Sequence, residues 1–252
     1  MITIDGIDPN RIPDHIACVM DGNGRWAQAR GLARTDGHAA GEQAMLDTIE
    51  ACDELGVGWL TLYAFSTENW ARPAAEVKFL MNLNESMLLR HVDRLRERNI
   101  RVRFIGRTDR RLPTTLLRAM QRSVATTASC SGLTVTIALN YGGRPEIVDA
   151  VKQLIDAGVA ASDVSEETIS KYLYDAQMPD PDVVVRTSGE QRISNFLLWE
   201  LAYSELVFTD VLWPDFGRED LRDAVREYQA RDRRYGALTA VEPSPAPAVG
   251  VG

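Results

Sequence analysis

The stretch His15-Ile16-Ala17-Cys18-Val19-Met20-Asp21-Gly22-Asn23-Gly24-Arg25-Trp26 limits what this chain can fold into more than any other. An apolar run passes directly into a carboxylate, then into two glycines flanking an asparagine, then into an arginine, and Ala27-Gln28-Ala29-Arg30 suits a helix. That order predicts a buried strand, a tight turn and a helix start. Backbone N–H groups at such a turn face outward with the positive end of the helix dipole behind them, so a phosphate fits there. Asp21 would then stand beside the anion, and two negative groups about 4 Å apart repel by roughly 1 kcal/mol in water and roughly 4 at an effective dielectric near 20. A divalent cation cancels this, since Mg²⁺ is usually held by one or two carboxylates plus substrate phosphate oxygens. The turn predicts a metal-bridged phosphate or diphosphate.

Two other readings compete on the motif alone. Gly22-x-Gly24-x-x-Ala27 formally satisfies a dinucleotide fingerprint, but that fingerprint does not call for an acid immediately before its first glycine. It also expects an acidic residue at the end of the next strand, which here ends at Phe65-Ser66. The other reading is a purely structural Asp-Gly turn.

With 252 residues, 45% of them hydrophobic, the chain can bury a full core as one large α/β domain or two small ones. A net charge of −8 excludes a general nucleic-acid binder. Only Lys78, Lys152 and Lys171 among the 28 basic residues are lysines, and arginine suits bidentate phosphate contacts. Cys18, Cys52 and Cys130 have neither C-x-x-C spacing nor zinc-like pairing with the histidines, so they read as reduced core residues of a cytoplasmic protein. No secretory leader and no run of about eighteen apolar residues is present.

Along the chain, residues 1–12 read as a flexible lead-in, 13–235 as one domain and 236–252, rich in Pro, Ala, Val and Gly, as a disordered tail. Helical spacing marks 39–55 and 74–99, and Pro113 reads as the start of another helix. Further helices are expected over 145–157, 166–175, 195–201 and 219–235. Strands are expected at 59–65, 100–105, 133–139, 182–186 and 206–209, with 100–105 nearer an edge. Alternating strands and helices predict one open, mostly parallel six-stranded sheet with helices on both faces.

Ligands in such sheets sit beyond the carboxyl ends of the strands. Those ends carry Asp21 to Arg25, Ser66 to Arg72, Asn140 to Arg144, and Arg186 with its following turn, and every one of these loops contains an arginine. Arg34 and His38 lie four apart and could share a helical face toward the same anion, although a lone histidine is as readily structural. Glu205 reads, by composition, as a surface acid.

Five ordered blocks now resemble a known family. They are His15 through Ala27 with Gly37-His38, Leu62 through Pro73, Asn140 through Arg144, Arg186 through Trp199, and Phe208 through Phe216. Together they resemble the signature blocks of the cis-prenyltransferases, the undecaprenyl diphosphate synthase family. The resemblance implies an apolar tunnel for the growing chain, between the central strands and the helices at 39–55 and 74–98. It implies that Asp21 holds Mg²⁺ at a diphosphate, and that Gly22, Asn23, Gly24, Arg25, Arg34 and His38 contact an allylic diphosphate primer, with Trp26 against its hydrocarbon. Ser66, Thr67 and Glu68 would line the site, Asn69 would sit where the proton leaves the condensing isoprene, and Trp70 and Arg72 would flank it. Arg186, Arg192, Ile193 and Ser194 would bind isopentenyl diphosphate. Glu205 would complete the metal site, against the compositional reading. A homodimer with 186–210 near its interface, a role in making the lipid carrier of cell-wall synthesis, and peripheral membrane contact through the product are implied as well.

No Asp-Asp-x-x-Asp occurs, so the metal signature of the all-helical trans-prenyltransferases is missing. A non-catalytic partner subunit of such an enzyme would lack the aspartate and phosphate turn that this chain keeps. Ala64 is small, as in long-chain members, whereas Leu139 stands where a smaller residue is expected and Leu133 is expected on the same strand face. Leu139 is thus expected to narrow the tunnel, and a short-chain synthase is the runner-up. Glu200 departs from the Gln more usual at its position.

Overall fold

The structure, a computed structural model, describes residues 6–231. Six strands form one sheet in the order β3-β4-β2-β1-β5-β6, and every neighbouring pair is parallel. They are β1 (His15–Val19), β2 (Trp59–Ser66), β3 (Arg101–Ile105), β4 (Thr134–Tyr141), β5 (Val183–Arg186) and β6 (Glu205–Phe208). β1 and β5 are buried at every position, as near-continuous apolar runs in a parallel sheet must be. β3, with its alternating arginines, is an edge strand as expected. The chain lays β2 on one side of β1 and β5 on the other, so the order reverses at β1, where open α/β sheets place their ligands.

The helices are α1 (Asn23–Ala29), α2 (Arg34–Leu55), α3 (Ala74–Glu97), α4 (Thr114–Thr127), α5 (Gly143–Asp156), α6 (Glu166–Ser170) and α7 (Arg218–Ala230). One face of the sheet packs Ile16, Cys18, Leu60 and Leu62 against α2 and α7, while Phe65 and Leu139 meet α3 and α4. On the other face Ala17, Val19, Val184 and Tyr141 pack against Phe196, Leu197 and Tyr174. All three cysteines are free and buried, and burial pushes the Cys18 thiol up to about 12.

Several expectations change. Residues 6–12 are not a loose lead-in: Ile7 is buried in the core, and the Gln229 side chain bonds the backbone of Asp8 and Arg11. Pro113 stands where α4 begins, as expected, and is its cap, whereas α6 ends at Ser170 rather than at 175. The helix expected over 195–201 does not form, because Ser194, Asn195 and Leu197 have φ of 50, 62 and 42°, outside the right-handed region. Only a short 3₁₀ turn follows, Glu200–Tyr203. α7 ends at Ala230, with Arg231 extended, while residues 232–235 of the helix expected over 219–235 and the expected tail at 236–252 lie outside the described residues.

Candidate active site

Asp21 lies just beyond β1, where Gly22 takes a φ of 107°. A side chain at Gly22 would also meet Leu212 at 2.9 Å, so glycine is required on two counts. The Asp21 carboxylate accepts from the Gly22 N–H at 2.7 Å and from Arg186, at the end of neighbouring β5, at 2.8 Å, with Arg25 at 3.8 Å. Burial acts to raise its pKa, but the bond from Arg186, then the Gly22 N–H and the Arg25 charge, outweigh it and hold Asp21 below the ordinary carboxylate range. Arg186 also donates to Ser194 Oγ at 2.7 Å and to the Arg192 carbonyl, so one buried guanidinium joins the first turn to the loop after β5.

Beside Asp21, a recess of about 230 Å³ is lined by Gly22, Gly24, Arg25, Arg34, Glu190 and Arg192. A side chain at Gly24 would run into the Arg34 guanidinium at 2.7 Å, so its absence lets that cation lie over the start of α1. Glu76, which the sequence reading missed, gathers three expected ligands: Arg72 at 3.1 Å, Arg34 at 3.7 Å and His38 at 3.9 Å. Its position four residues after Arg72 at the start of a helix was the available signal. His38 Nε2 is buried without a hydrogen-bond partner. Burial, followed by the Arg72 charge, pushes its pKa down to about 4 against the pull of Glu76.

The recess adjoins a larger cavity of about 670 Å³. Asp21, Asn69, Arg186 and Ser194 lie along its polar lining, and Leu62, Ala64, Leu139, Met87 and Leu88 along its apolar wall. Asn69 uses its side-chain oxygen to accept the Ser66 N–H at 3.1 Å, which leaves its NH₂ group as the end available to a ligand. Arg72, Ser66, Glu68, Asn23 and Arg192 line the same space.

Five expected site residues stand elsewhere. Trp26 lies outside the cavity, its indole N–H donating to Asp215 at 2.6 Å and its ring under Arg30. Trp70 donates to Asn140 at 2.7 Å and packs on Phe65, so it ties the ends of β2 and β4 together. Thr67 bonds Glu68 at 3.1 Å and, with Ile193, stays out of the cavity lining. Glu205 opens β6 level with Val183, itself paired with Ile16, whereas Asp21 lies past the opposite end of β1. Its carboxylate accepts from Arg231 at 2.8 Å. Within one chain Glu205 therefore does not share a cation with Asp21, because in parallel strands the first residue of β6 and a residue past the end of β1 stand at opposite edges of the sheet.

Among the described residues no three His, Cys, Asp or Glu side chains converge on a metal position. The donors at the first turn nevertheless fit Mg²⁺, which needs one carboxylate when phosphate and water oxygens complete its shell. Asp21 is ionised and about a third exposed, and Asn23 Oδ1 is buried without a partner. No helix among the described residues is long and apolar enough to cross a membrane.

Residues 19–236 match the family model described as putative undecaprenyl diphosphate synthase. The chain is 48% identical over 236 residues to an isoprenyl transferase of Heliobacterium mobile, covering 92% of this chain and 90% of that protein. Among solved structures, lavandulyl diphosphate synthase from Lavandula x intermedia, in complex with dimethylallyl diphosphate, superposes with a TM-score of 0.87 at 34% identity, covering 90% of this chain and 99% of the other. A probable undecaprenyl diphosphate synthase from Campylobacter jejuni gives 0.75 at 31%, covering 89% and 98%. The chain belongs to the undecaprenyl diphosphate synthase family and is an enzyme that transfers prenyl groups.

Proposed function

We propose that the enzyme is an Mg²⁺-dependent cis-prenyltransferase condensing isopentenyl diphosphate onto an allylic diphosphate primer to give a Z-polyprenyl diphosphate, the lipid carrier of cell-wall synthesis. One observation carries this reading: the Asp21–Arg186 pair stands where a cation-lined recess opens into a largely apolar cavity. Arg25 and Arg34 hold the primer diphosphate over the first turn, with Gly22, Asn23, Gly24 and His38 around it. Arg186, Arg192 and Ser194 hold isopentenyl diphosphate. Asp21, with Asn23 nearby, would hold Mg²⁺, which would supply charge neutralisation for the departing diphosphate.

The remaining steps belong to the chain's own residues. Fixed guanidinium groups stabilise charge growing on the leaving group without reorganising. The Asn69 NH₂ group orients the second substrate. Its oxygen is already committed to Ser66 and an amide is a poor base, so the proton passes to diphosphate or water. The product enters the cavity, where each five-carbon unit gains roughly 4 kcal/mol at about 0.8 per carbon group. A homodimer working in the cytoplasm, against the membrane that receives its product, completes the reading.

A short-chain cis-prenyl diphosphate synthase is the second reading, and it is favoured by Leu139, which is buried in the cavity wall facing α3. Leu139→Ala should lengthen the products seen on reversed-phase chromatography; an unchanged distribution would remove Leu139 from any role in chain length. The main proposal is tested by incubating the enzyme with labelled isopentenyl diphosphate, a farnesyl or geranyl primer and Mg²⁺, with and without chelator. Incorporation into a Z-configured product, lost on chelation, is the expected result, and metal-independent turnover would discard the role of Asp21.

A further inference from the structure

Glu200 is the buried acid in the loop after β5, and the chemistry above leaves it unused. It opens the 3₁₀ turn Glu200–Tyr203, is 3% exposed, and neither carboxyl oxygen finds a conventional donor. It faces Glu146 of α5, itself 1% exposed, whose oxygens accept from the Tyr141 hydroxyl and from the Tyr174 N–H at 3.1 Å. Among the described residues no ion pair involves either acid. Two further acids act on them: Asp180 before β5, and Asp149 of α5, which is held by Arg107 and the Tyr174 hydroxyl. Two ionised carboxylates cannot persist together in such a place. A single proton between them turns the repulsion into a carboxyl-to-carboxylate hydrogen bond, joining the Glu200 turn to α5.

That bond holds a strained piece of chain. Ser194, Asn195 and Leu197 all have positive φ, a cost that persists only where the surroundings over-determine it. At one end the strain is pinned by Asn195, whose carbonyl and side-chain oxygen accept the Gly143 and Arg144 N–H groups at 2.7 and 2.9 Å, and whose NH₂ donates to Glu68 at 2.8 Å. At the other end the Leu201 N–H donates to Leu197, next to Glu200. Ser194, the partner of Arg186, directly precedes the Asn195 pin, at the start of this segment.

We infer that Glu200 is a positioning residue: the proton it shares with Glu146 clamps the 194–203 segment, so that Ser194 and Arg186 stay aligned for the second diphosphate and the clamp opens in alkaline solution. The inference rests on the reading of that site as the isopentenyl diphosphate subsite. The supporting chemistry agrees in direction. Burial, then the charge of Glu146, pushes the Glu200 carboxyl up to about 8, and burial raises Glu146 as well.

Glu200→Gln replaces the shared proton by a permanent N–H donor. Calorimetric titration with isopentenyl diphosphate should show wild-type affinity falling at least tenfold more than that of E200Q between pH 7 and 9.5. Thermal unfolding without substrate should show the wild type losing stability from about pH 5 to 8, because the folded state keeps a proton that the unfolded chain releases, with a flatter profile in E200Q. Parallel profiles of the two proteins in affinity or in unfolding overturn the clamp. The expected flatter unfolding profile in E200Q, with isopentenyl diphosphate bound by neither protein, also overturns it as a positioning device for that substrate. Failure of the function reading is seen separately, as absence of prenyl product at pH 7 in the incorporation assay.

Discussion

The turns after β1 and β4 read alike in sequence: Asp21-Gly22-Asn23-Gly24-Arg25 and Asn140-Tyr141-Gly142-Gly143-Arg144 each run from a strand through glycine and arginine into a helix. Folded, they are opposites. No side chain caps the start of α1, and the groups gathered there are Asp21 and the cations Arg25, Arg34 and Arg186. At α5 the first N–H groups are satisfied by Asn195, and Arg144 is exposed. A strand-glycine-helix turn is an anion site only if nothing else in the fold reaches its amides, and here the residue that decides lies far along the chain.

The electrostatics diverge in the same way. Burial and then the Arg72 charge lower the pKa of His38 beside the first turn, whereas burial raises that of Glu146 and, with the charge of Glu146, that of Glu200 beside the second. Their responses to pH should therefore have opposite signs.

The largest expected effect comes from Asp21→Asn, which keeps the shape of the side chain but removes the charge and one of the two oxygens that accept from Gly22 and Arg186. Losing one such electrostatic contribution is worth about 10²–10³ in rate. Isopentenyl diphosphate incorporation should fall at least that far while the thermal midpoint stays near that of the wild type; near-normal turnover would mean that the first turn is as inert as the second.

His38→Gln probes the cations. A histidine held near pKa 4 when folded and 6.5 when unfolded costs stability as pH falls through that window, by up to about 3 kcal/mol. The wild type should lose stability relative to H38Q between pH 6.5 and 4 in denaturant titrations. His15, with its pKa also pushed down to about 4, adds a slope common to both proteins, so the difference is the reading. A constant difference across that window would show His38 to be freely titrating.

Asn195→Ala uncovers the second turn. The backbone carbonyl that accepts the Gly143 N–H survives the substitution, but leaving the Arg144 N–H without the Asn195 side-chain oxygen should cost about 1–3 kcal/mol on chemical denaturation, and the loss of Ser194 alignment should raise the KM for isopentenyl diphosphate more than it lowers kcat. If stability is unchanged, the plug is not what separates the two turns.

The strands were legible because a parallel sheet buried on both faces demands long apolar runs, and β1, β2 and β5 supply them. The cluster of Asp21, Arg25 and Arg186 was legible because parallel topology brings strand ends together. What escaped was set by contacts across the fold. Neither the hydrogen bond of Trp70 to Asn140 nor the shelter of Trp26 against Asp215 has a local signature. The helix expected at 195–201 failed for the same reason: Asn195 takes a left-handed backbone to reach α5, a demand the apolar spacing of Phe196, Leu197 and Leu201 does not register. That Glu205 stands apart from Asp21 within one chain was not legible because strand direction, which sends it to the far edge of the sheet, becomes visible only once β6 is paired with β5.

The smallest expected effect is at Arg144, and it bears directly on the two turns because Arg25 occupies the equivalent place in the first. Arg25 donates to the Ser188 carbonyl at 3.1 Å, pairs with Glu190 at 3.4 Å and lines the recess. Arg144 reaches solvent from a helix whose end is already capped, and its backbone N–H, rather than its guanidinium, makes the bond that matters. Arg144→Ala keeps that N–H, so within one subunit the substitution removes only a solvated charge. Exposed substitutions of this kind usually stay within about 0.5 kcal/mol. Stability and the KM for either substrate should accordingly change less than about twofold, while Arg25→Ala raises the KM for the primer. Should Arg144→Ala weaken substrate binding as much as Arg25→Ala, the second turn takes part in catalysis after all, and an interface contributed by another copy of the chain becomes the place to look for its ligand.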